Sequence, residues 1–147
     1  MLSDNQKFVE LCRNGVFDDA KELLESGNID IHYKNDLPFR TAASHGKLNI
    51  VKWLWNQGGI DISAEDDYAI CWACHDGHLD TAKWLVEHGA YIHADNGFPF
   101  KEAFRGKHYD ICHWIISITK GIYSFKEYDN GKTRVITSCP SKMKSNT

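Results

Sequence analysis

No stretch of this 147-residue sequence approaches the roughly 18 consecutive apolar residues of a transmembrane helix. The first residues, Met1-Leu2-Ser3-Asp4-Asn5-Gln6-Lys7, lack the basic region followed by an apolar one that marks a signal peptide, so none is expected. There is no basic excess: 17 Lys and Arg stand against 20 Asp and Glu, a net charge of −3. That balance speaks against a nucleic-acid binder, which usually carries a basic face, and against a polybasic membrane-surface protein. The five cysteines (Cys12, Cys71, Cys74, Cys112, Cys139) are an odd number without the density of a disulfide scaffold. Free thiols in a reducing, cytoplasmic compartment are the expectation. What the chain has in ordinary measure is apolar surface. A hydrophobic content of 42%, with 12% aromatic, places it far from disorder.

The organisation comes from internal repetition. Gly15, Gly46 and Gly77 are separated by 31 and 31 residues, and Gly27, Gly58 and Gly89 repeat both spacings. Trp53, Trp84 and Trp114 are separated by 31 and 30, as are Ala42, Ala73 and Ala103. Each unit holds two short apolar segments of helical period split by one glycine and closed by another. Both glycines suit the left-handed position that ends a helix. A helix–turn–helix unit of this size cannot bury its apolar side alone, so stacked neighbours share a continuous core. Small residues supply the first helices of that core (Ala42, Ala43, Ala73, Cys74, Ala103). Larger ones supply the second (Val51, Leu54, Ala82, Leu85, Ile111, Ile115).

The run Pro38-Phe39-x-x-Ala42-Ala43-x-x-Gly46-x-Leu48-x-Ile50-Val51-x-x-Leu54, closed by Gly58-Gly59 or Gly89-Ala90, resembles the ankyrin repeat. Residues 67–96 are most similar to the variant found in mimivirus-like giant viruses, through Asp67, Ala69, Ala73, Cys74, Gly77, His78, Leu79, Lys83, Trp84, Leu85, Gly89, Ala90, Ile92, Ala94, Asp95 and Asn96. The resemblance covers about residues 5–118. It implies an all-α ankyrin repeat solenoid of about four helix–turn–helix repeats (about 4–34, 35–64, 65–94 and 95–118) filling residues 1–121. It also implies a non-catalytic protein–protein interaction module, no cofactor, no metal, and a host protein met in the host cytoplasm. Three departures carry expectations. The usual Thr-Pro-Leu-His opening is replaced by Leu37-Pro38-Phe39-Arg40, Tyr68-Ala69-Ile70-Cys71 and Phe98-Pro99-Phe100-Lys101, so the hydrogen bonds that tie repeats together should be missing, with Asp36 and Asp67 serving as N-caps instead. A period of 30–31 rather than about 33 should shorten the connector hairpins. Lys107 falls where Gly46 and Gly77 sit, so the helix boundary there should shift.

The ends differ from the middle. Ser3-x-x-Gln6 is a capping-box pattern. Asp18, Asp19, Lys21 and Glu22 give the first repeat a wet outer face. After residue 121 the register is lost. Residues 122–128 and 133–137 flank Asp129-Asn130-Gly131-Lys132, a strong hairpin signal, so residues 122–147 are expected to form a short β-hairpin or irregular cap over the fourth repeat and a disordered end.

Three features compete for a functional reading. Cys71-x-x-Cys74-x-x-x-His78 is half a zinc site that would need two more ligands, His45 or His75 among the possibilities. The repeat register accounts for it more simply, since Cys74 takes the core position of Ala43 and His78 that of Lys47. A thiol enzyme built on Cys and His lacks an oxyanion donor and an orienting third group. The Trp53, Trp84 and Trp114 column is expected to pack between repeats. The variable positions, at connector tips and first-helix ends, form the concave surface of such a solenoid. The residues assigned to partner binding are Tyr33, Lys34, His45, Glu65, Asp66, Trp72, His75, Asp76, Asp95, Asn96 and Arg105. Glu65, Asp66, Asp76 and Asp95 would meet a basic or polar segment, with Tyr33 and Trp72 as anchors. The expected state is a monomer. A self-associating scaffold or virion component is the alternative.

Overall fold

The computed structural model describes residues 1–120, 122–127 and 133–137. Eight helices run along them: α1 Asp4–Asn14, α2 Phe17–Glu25, α3 Tyr33–Ser44, α4 Leu48–Gln57, α5 Ala64–His75, α6 Leu79–Glu87, α7 Ala94–Arg105 and α8 Tyr109–Ile118. Helices this short are marginal alone, so packing must hold them. The odd-numbered helices stack on one another in chain order, and each packs against the even-numbered helix that follows it. The shared core is the one the repeat pattern selects: Ala42, Ala43, Ala73, Cys74 and Ala103 from the first helices, and Val51, Leu54, Ala82, Leu85, Ile111 and Ile115 from the second, are all fully buried. This is an all-α solenoid. No helix among the described residues is long and apolar enough to cross a membrane.

The first repeat opens on the expected capping box: the Gln6 N–H donates to Ser3 Oγ at 3.3 Å, and the Ser3 N–H donates to Gln6 Oε1 at 2.8 Å. Asp18, Asp19, Lys21 and Glu22 are exposed, as a terminal repeat requires. At the other end β1 (Tyr123–Glu127) pairs antiparallel with β2 (Thr133–Thr137), Tyr123 opposite Thr137. The expected Asn130-Gly131 turn, Cys139 and the expected disordered end lie outside the described residues. Tyr123 is fully buried, stacked on Phe100 at 4.6 Å and on His93 at 5.5 Å. Its hydroxyl lies 2.7 Å from His93 Nδ1. Strand β1 therefore closes the fourth repeat.

The connectors depart from expectation. Among the described residues they contain no strand, so they are not shortened hairpins. Each is a tight turn of three successive residues with positive φ: Lys34, Asn35 and Asp36, then Glu65, Asp66 and Asp67, then Asp95, Asn96 and Gly97. Right-handed helix begins only after them. Left-handed backbone is unfavourable by about 1–2 kcal/mol for most L-residues and least so for Gly, Asn and Asp. Of these nine residues all but Lys34 and Glu65 are of those three kinds, which is why the sequence can adopt the turn.

That turn also redirects Asp36 and Asp67, which are not N-caps. The Asp61 N–H donates to Asp36 Oδ2 at 2.8 Å and the Tyr91 N–H to Asp67 Oδ1 at 3.2 Å. Asn5 takes the same role one repeat earlier, accepting from the Asp30 N–H at 2.9 Å. Both partners of each bond lie within one repeat, so Asn5, Asp36 and Asp67, at a 31-residue spacing, hold the segment that leads out of their own repeat. The ties between repeats run elsewhere, from Asn35 Nδ2 to Glu65 Oε1 at 2.6 Å and from His108 Nε2 to the His75 carbonyl at 3.0 Å. Each is worth about 1 kcal/mol net. The fourth repeat's boundary does not shift either. Lys107 adopts φ 61°, beside 67° at Gly46 and 83° at Gly77. The His108 N–H still reaches the Ala103 carbonyl at 2.8 Å, as the His78 N–H reaches Ala73. The neighbouring repeats hold the register and Lys107 bears the strain.

Candidate functional site

The residues assigned to partner binding fall into two rows along the first-helix layer. Lys34, Glu65, Asp66, Asp95 and Asn96 lie on the left-handed turns at one end of α3, α5 and α7, with Tyr33 just before the first of them. His45, His75, Asp76 and Arg105 lie at the opposite ends of the same helices. About nine residues at 1.5 Å each separate the rows, roughly 13 Å, a span that four extended residues cover. Trp72 lies between them on α5.

In the turn row, Glu65, Asp66, Asp95 and Asn96 are exposed, while Tyr33 is half-buried with the Lys34 ammonium 5.3 Å from its ring centre. Asn35 Nδ2 donates to Glu65 Oε1 at 2.6 Å, joining the turns of the second and third repeats. Below them an open cleft of about 330 Å³ is lined by His32, Asn35, Asp36, Asp61, Ala64 and Glu65. Asp36 is buried there, its Oδ1 2.6 Å from His32 Nδ1. Burial raises the Asp67 carboxyl above its ordinary value, the Tyr91 N–H opposes that rise, and the charges of Asp61 and Asp66 add to it.

Around Trp72 the rings gather. Its half-buried indole lies 5.7 Å from Tyr68, 4.7 Å from His75 and 6.3 Å from Phe98. His75 Nδ1 is 2.6 Å from Asp76 Oδ1, and its Nε2 is 3.7 Å from Glu102 Oε2. Glu102 is buried and held by Arg105 at 3.0 Å, so its charge is partnered as a buried charge must be. The structure thus brings Trp72, His75, Asp76 and Arg105 into one cluster. His45 stands apart, its Nδ1 3.0 Å from both Ser44 Oγ and the Thr41 carbonyl.

Four members of this face escape sequence reasoning: Arg40, Tyr68, Phe98 and Glu102. Tyr68 and Phe98 share the register of Leu37 and read there as ordinary apolar openings. Glu102 shares the register of Thr41 and Trp72, and a lone acid at that place is the available signal. Arg40 reads as a departure from the family opening. It is buried, donates from Nε to the Asn35 carbonyl and from Nη2 to the Lys34 carbonyl, both at 2.7 Å, and lies 5.2 Å from the Tyr68 ring.

The other two candidate chemistries find a packing role. Burial pushes the thiols of Cys12 and Cys71 up to about 12 and that of Cys112 to about 11, and raises Cys74 as well. A thiolate nucleophile or ligand needs the opposite shift. Among the described residues no three His, Cys, Asp or Glu side chains group as metal ligands. His78 lies over Gly46, where a Cβ would come within 2.5 Å of its ring, and burial lowers its pKa. The tryptophan column is half-buried: Trp53 packs on Phe17 at 5.3 Å, and Trp84 packs edge-on to Trp55 of the preceding repeat at 5.8 Å.

The family model for ankyrin repeats matches residues 42–126 with three copies. No curated protein matches the chain. The matched stretch begins inside α3 and leaves out the first repeat, whose second helix is the most polar of the four. With more than half its length matched, the chain belongs to the ankyrin repeat family, whose members generally serve as protein–protein interaction modules and are typically not enzymes.

Proposed function

We propose that the protein is a non-catalytic recognition module that binds an extended, basic segment of another protein across the first-helix face, which is the concave side in this family. The observation that carries the reading is the half-buried Trp72 with Tyr68, Phe98 and His75 around it, bordered by exposed carboxylates. Partly covered aromatic rings are rigid, amphipathic anchors of the kind that dominate interface energetics. Glu65, Asp66 and Asp95 at one end of the helices and Asp76 at the other surround that anchor with one sign of charge. A complementary partner is steered onto it and held in register. Of the cations on the face, Lys34 lies over Tyr33, Arg40 is buried on the Lys34 and Asn35 carbonyls, Arg105 is paired with Glu102, and Lys101 is exposed. A host protein met in the cytoplasm is the partner class that the likeness of residues 67–96 to giant-virus repeats points to.

The test is affinity capture from cell lysate with mass spectrometry, using wild type beside two variants, Trp72→Ala and the triple reversal Glu65→Lys, Asp66→Lys, Asp95→Lys. A partner captured by wild type and lost by both variants is the expected result. A partner held equally by all three would move recognition to the second-helix face, around Trp55 and Trp84.

A further inference from the structure

We infer that the third repeat carries a binding site for an arginine side chain, made by the left-handed turn at Glu65 and Asp66 and the ring of Phe98, and that Arg40 fills the same site in the second repeat. The inference deepens the reading above and rests on it only for the origin of the arginine, a segment of the bound protein.

Arg40 displays the recognition in full. Its guanidinium spans two adjacent carbonyls of a left-handed turn, Lys34 and Asn35, at 2.7 Å each. It also lies 5.2 Å from the Tyr68 ring of the next repeat. The planar fork of donors is what lets one side chain serve two neighbouring carbonyls and still lie against a ring, which an ammonium does less well. One repeat further on, the same backbone recurs. Glu65 (φ 55°, ψ 54°) and Asp66 (φ 56°, ψ 49°) match Lys34 (49°, 58°) and Asn35 (56°, 59°) closely. The register position of Tyr68 is held by Phe98, which is half-buried beside Trp72. The position of Arg40 is held by Cys71, which stops at its sulfur. The third repeat thus keeps the carbonyl turn and the aromatic ring and lacks its own guanidinium. It adds two exposed carboxylates, Glu65 and Asp66, where the second repeat has Lys34 and Asn35. The field around Cys71 has the matching sign. After burial, the carboxylates of Asp67, Asp95 and Asp66 are what hold its thiol up. In the fourth repeat Lys101 occupies the corresponding place, so the third is the copy left for a guest.

The probe is a short capped peptide, acetyl-Gly-Arg-Gly-amide, titrated into the isotopically labelled full chain and followed through backbone amide shifts. Its controls replace arginine by citrulline, a neutral isostere, and by lysine. The expected result is saturable shifts at Asp66, Asp67 and Phe98, with citrulline binding about tenfold more weakly because a charge-assisted hydrogen bond becomes a neutral one. Lysine should fall between the two. The variant Cys71→Arg supplies the guanidinium internally. It should unfold at a higher temperature than Cys71→Gln and should lose the peptide response. No saturable shift with the arginine peptide, or equal binding of the citrulline peptide, would overturn the site. So would a Cys71→Arg protein that folds and still binds. Should that variant not fold, the citrulline comparison on wild type decides alone. A peptide that binds with no protein partner captured leaves the site standing and removes the recognition function, and the converse result removes only the site.

Discussion

Replacing Lys107 by glycine should stabilise this protein. Lys107 is exposed and sits at φ 61° in the turn between α7 and α8, where the second and third repeats have Gly46 and Gly77. A non-glycine residue in that conformation is disfavoured by about 1–2 kcal/mol. Glycine relieves the strain but gives the unfolded chain more freedom, which takes back about 0.5–1 kcal/mol. The net expectation is a gain of about 0.5–1 kcal/mol, or roughly 1–4 °C in the unfolding midpoint of a chain this size. Two reverse substitutions separate strain from crowding. Gly27 has φ 87° and no atom within 4 Å of the place a methyl group would take, so Gly27→Ala should lose stability through strain alone. Gly77→Ala should lose more, because its Cβ would approach the His108 ring to 2.5 Å. Thermal and urea unfolding of the three variants, followed by helical circular dichroism, is the assay. A Lys107→Gly protein no more stable than wild type would refute the reasoning. So would a Gly77→Ala loss no larger than that of Gly27→Ala.

Acidification through the histidine range should weaken the fold. Burial lowers the pKa of His78 and of His93, so the folded state binds fewer protons than the unfolded one. Their contribution is complete above the unfolded value of about 6.5 and is lost as pH falls below it through the folded values. Urea midpoints at about pH 7.5 and about pH 5.5 should fall in that order, and the double variant His78→Gln, His93→Gln should flatten the difference. At the C-terminal cap, Tyr123→Phe should lose about 1 kcal/mol with the His93 contact, and Tyr123→Ala about 3–5 kcal/mol with the buried ring. Hydrogen exchange should show both losses first in α7 and α8. The buried thiols of Cys12, Cys71, Cys74 and Cys112 should react with a thiol reagent only at the rate at which the chain opens, and site-resolved mass spectrometry would expose any one that labels in the native state.

The repeat spacing makes the architecture legible because glycines and small core residues are repeated by the packing itself. Ala42, Ala73 and Ala103 are buried for one reason and recur at one interval. The ends are legible too, from the Ser3 and Gln6 pair and from the loss of register after residue 121. The connectors are not. Whether Lys34-Asn35-Asp36 forms a hairpin tip or a left-handed turn depends on backbone angles for which composition gives only a leaning toward Asn and Asp. Read as a hairpin tip, the segment makes helix caps of Asp36 and Asp67 and hides their bonds to the segment that leads out of each repeat. Of the proposed recognition face, the acidic and aromatic residues that vary between repeats stand out, Trp72 and His75 among them. Glu102 and Arg40 do not, because their roles lie in partners that the chain brings close only on folding: Arg105 and His75 for one, the Lys34 and Asn35 carbonyls for the other.

The oxygen with which each repeat holds its own outgoing segment also sets the path on which another repeat can follow. Asn5, Asp36 and Asp67 each offer one; the equivalent position in the fourth repeat is Gly97, which has none, and the ring of Tyr123 lies where its Cβ would point, 2.9 Å away. Gly97 therefore works as a stop signal. A duplicated unit inserted between the second and third repeats would bring its own acceptor and its own donor, and the array could lengthen there. A unit added after the fourth would meet a glycine and a tyrosine instead. Extending the array at that end takes two coordinated changes, an oxygen-bearing side chain at position 97 and removal of the ring that covers it.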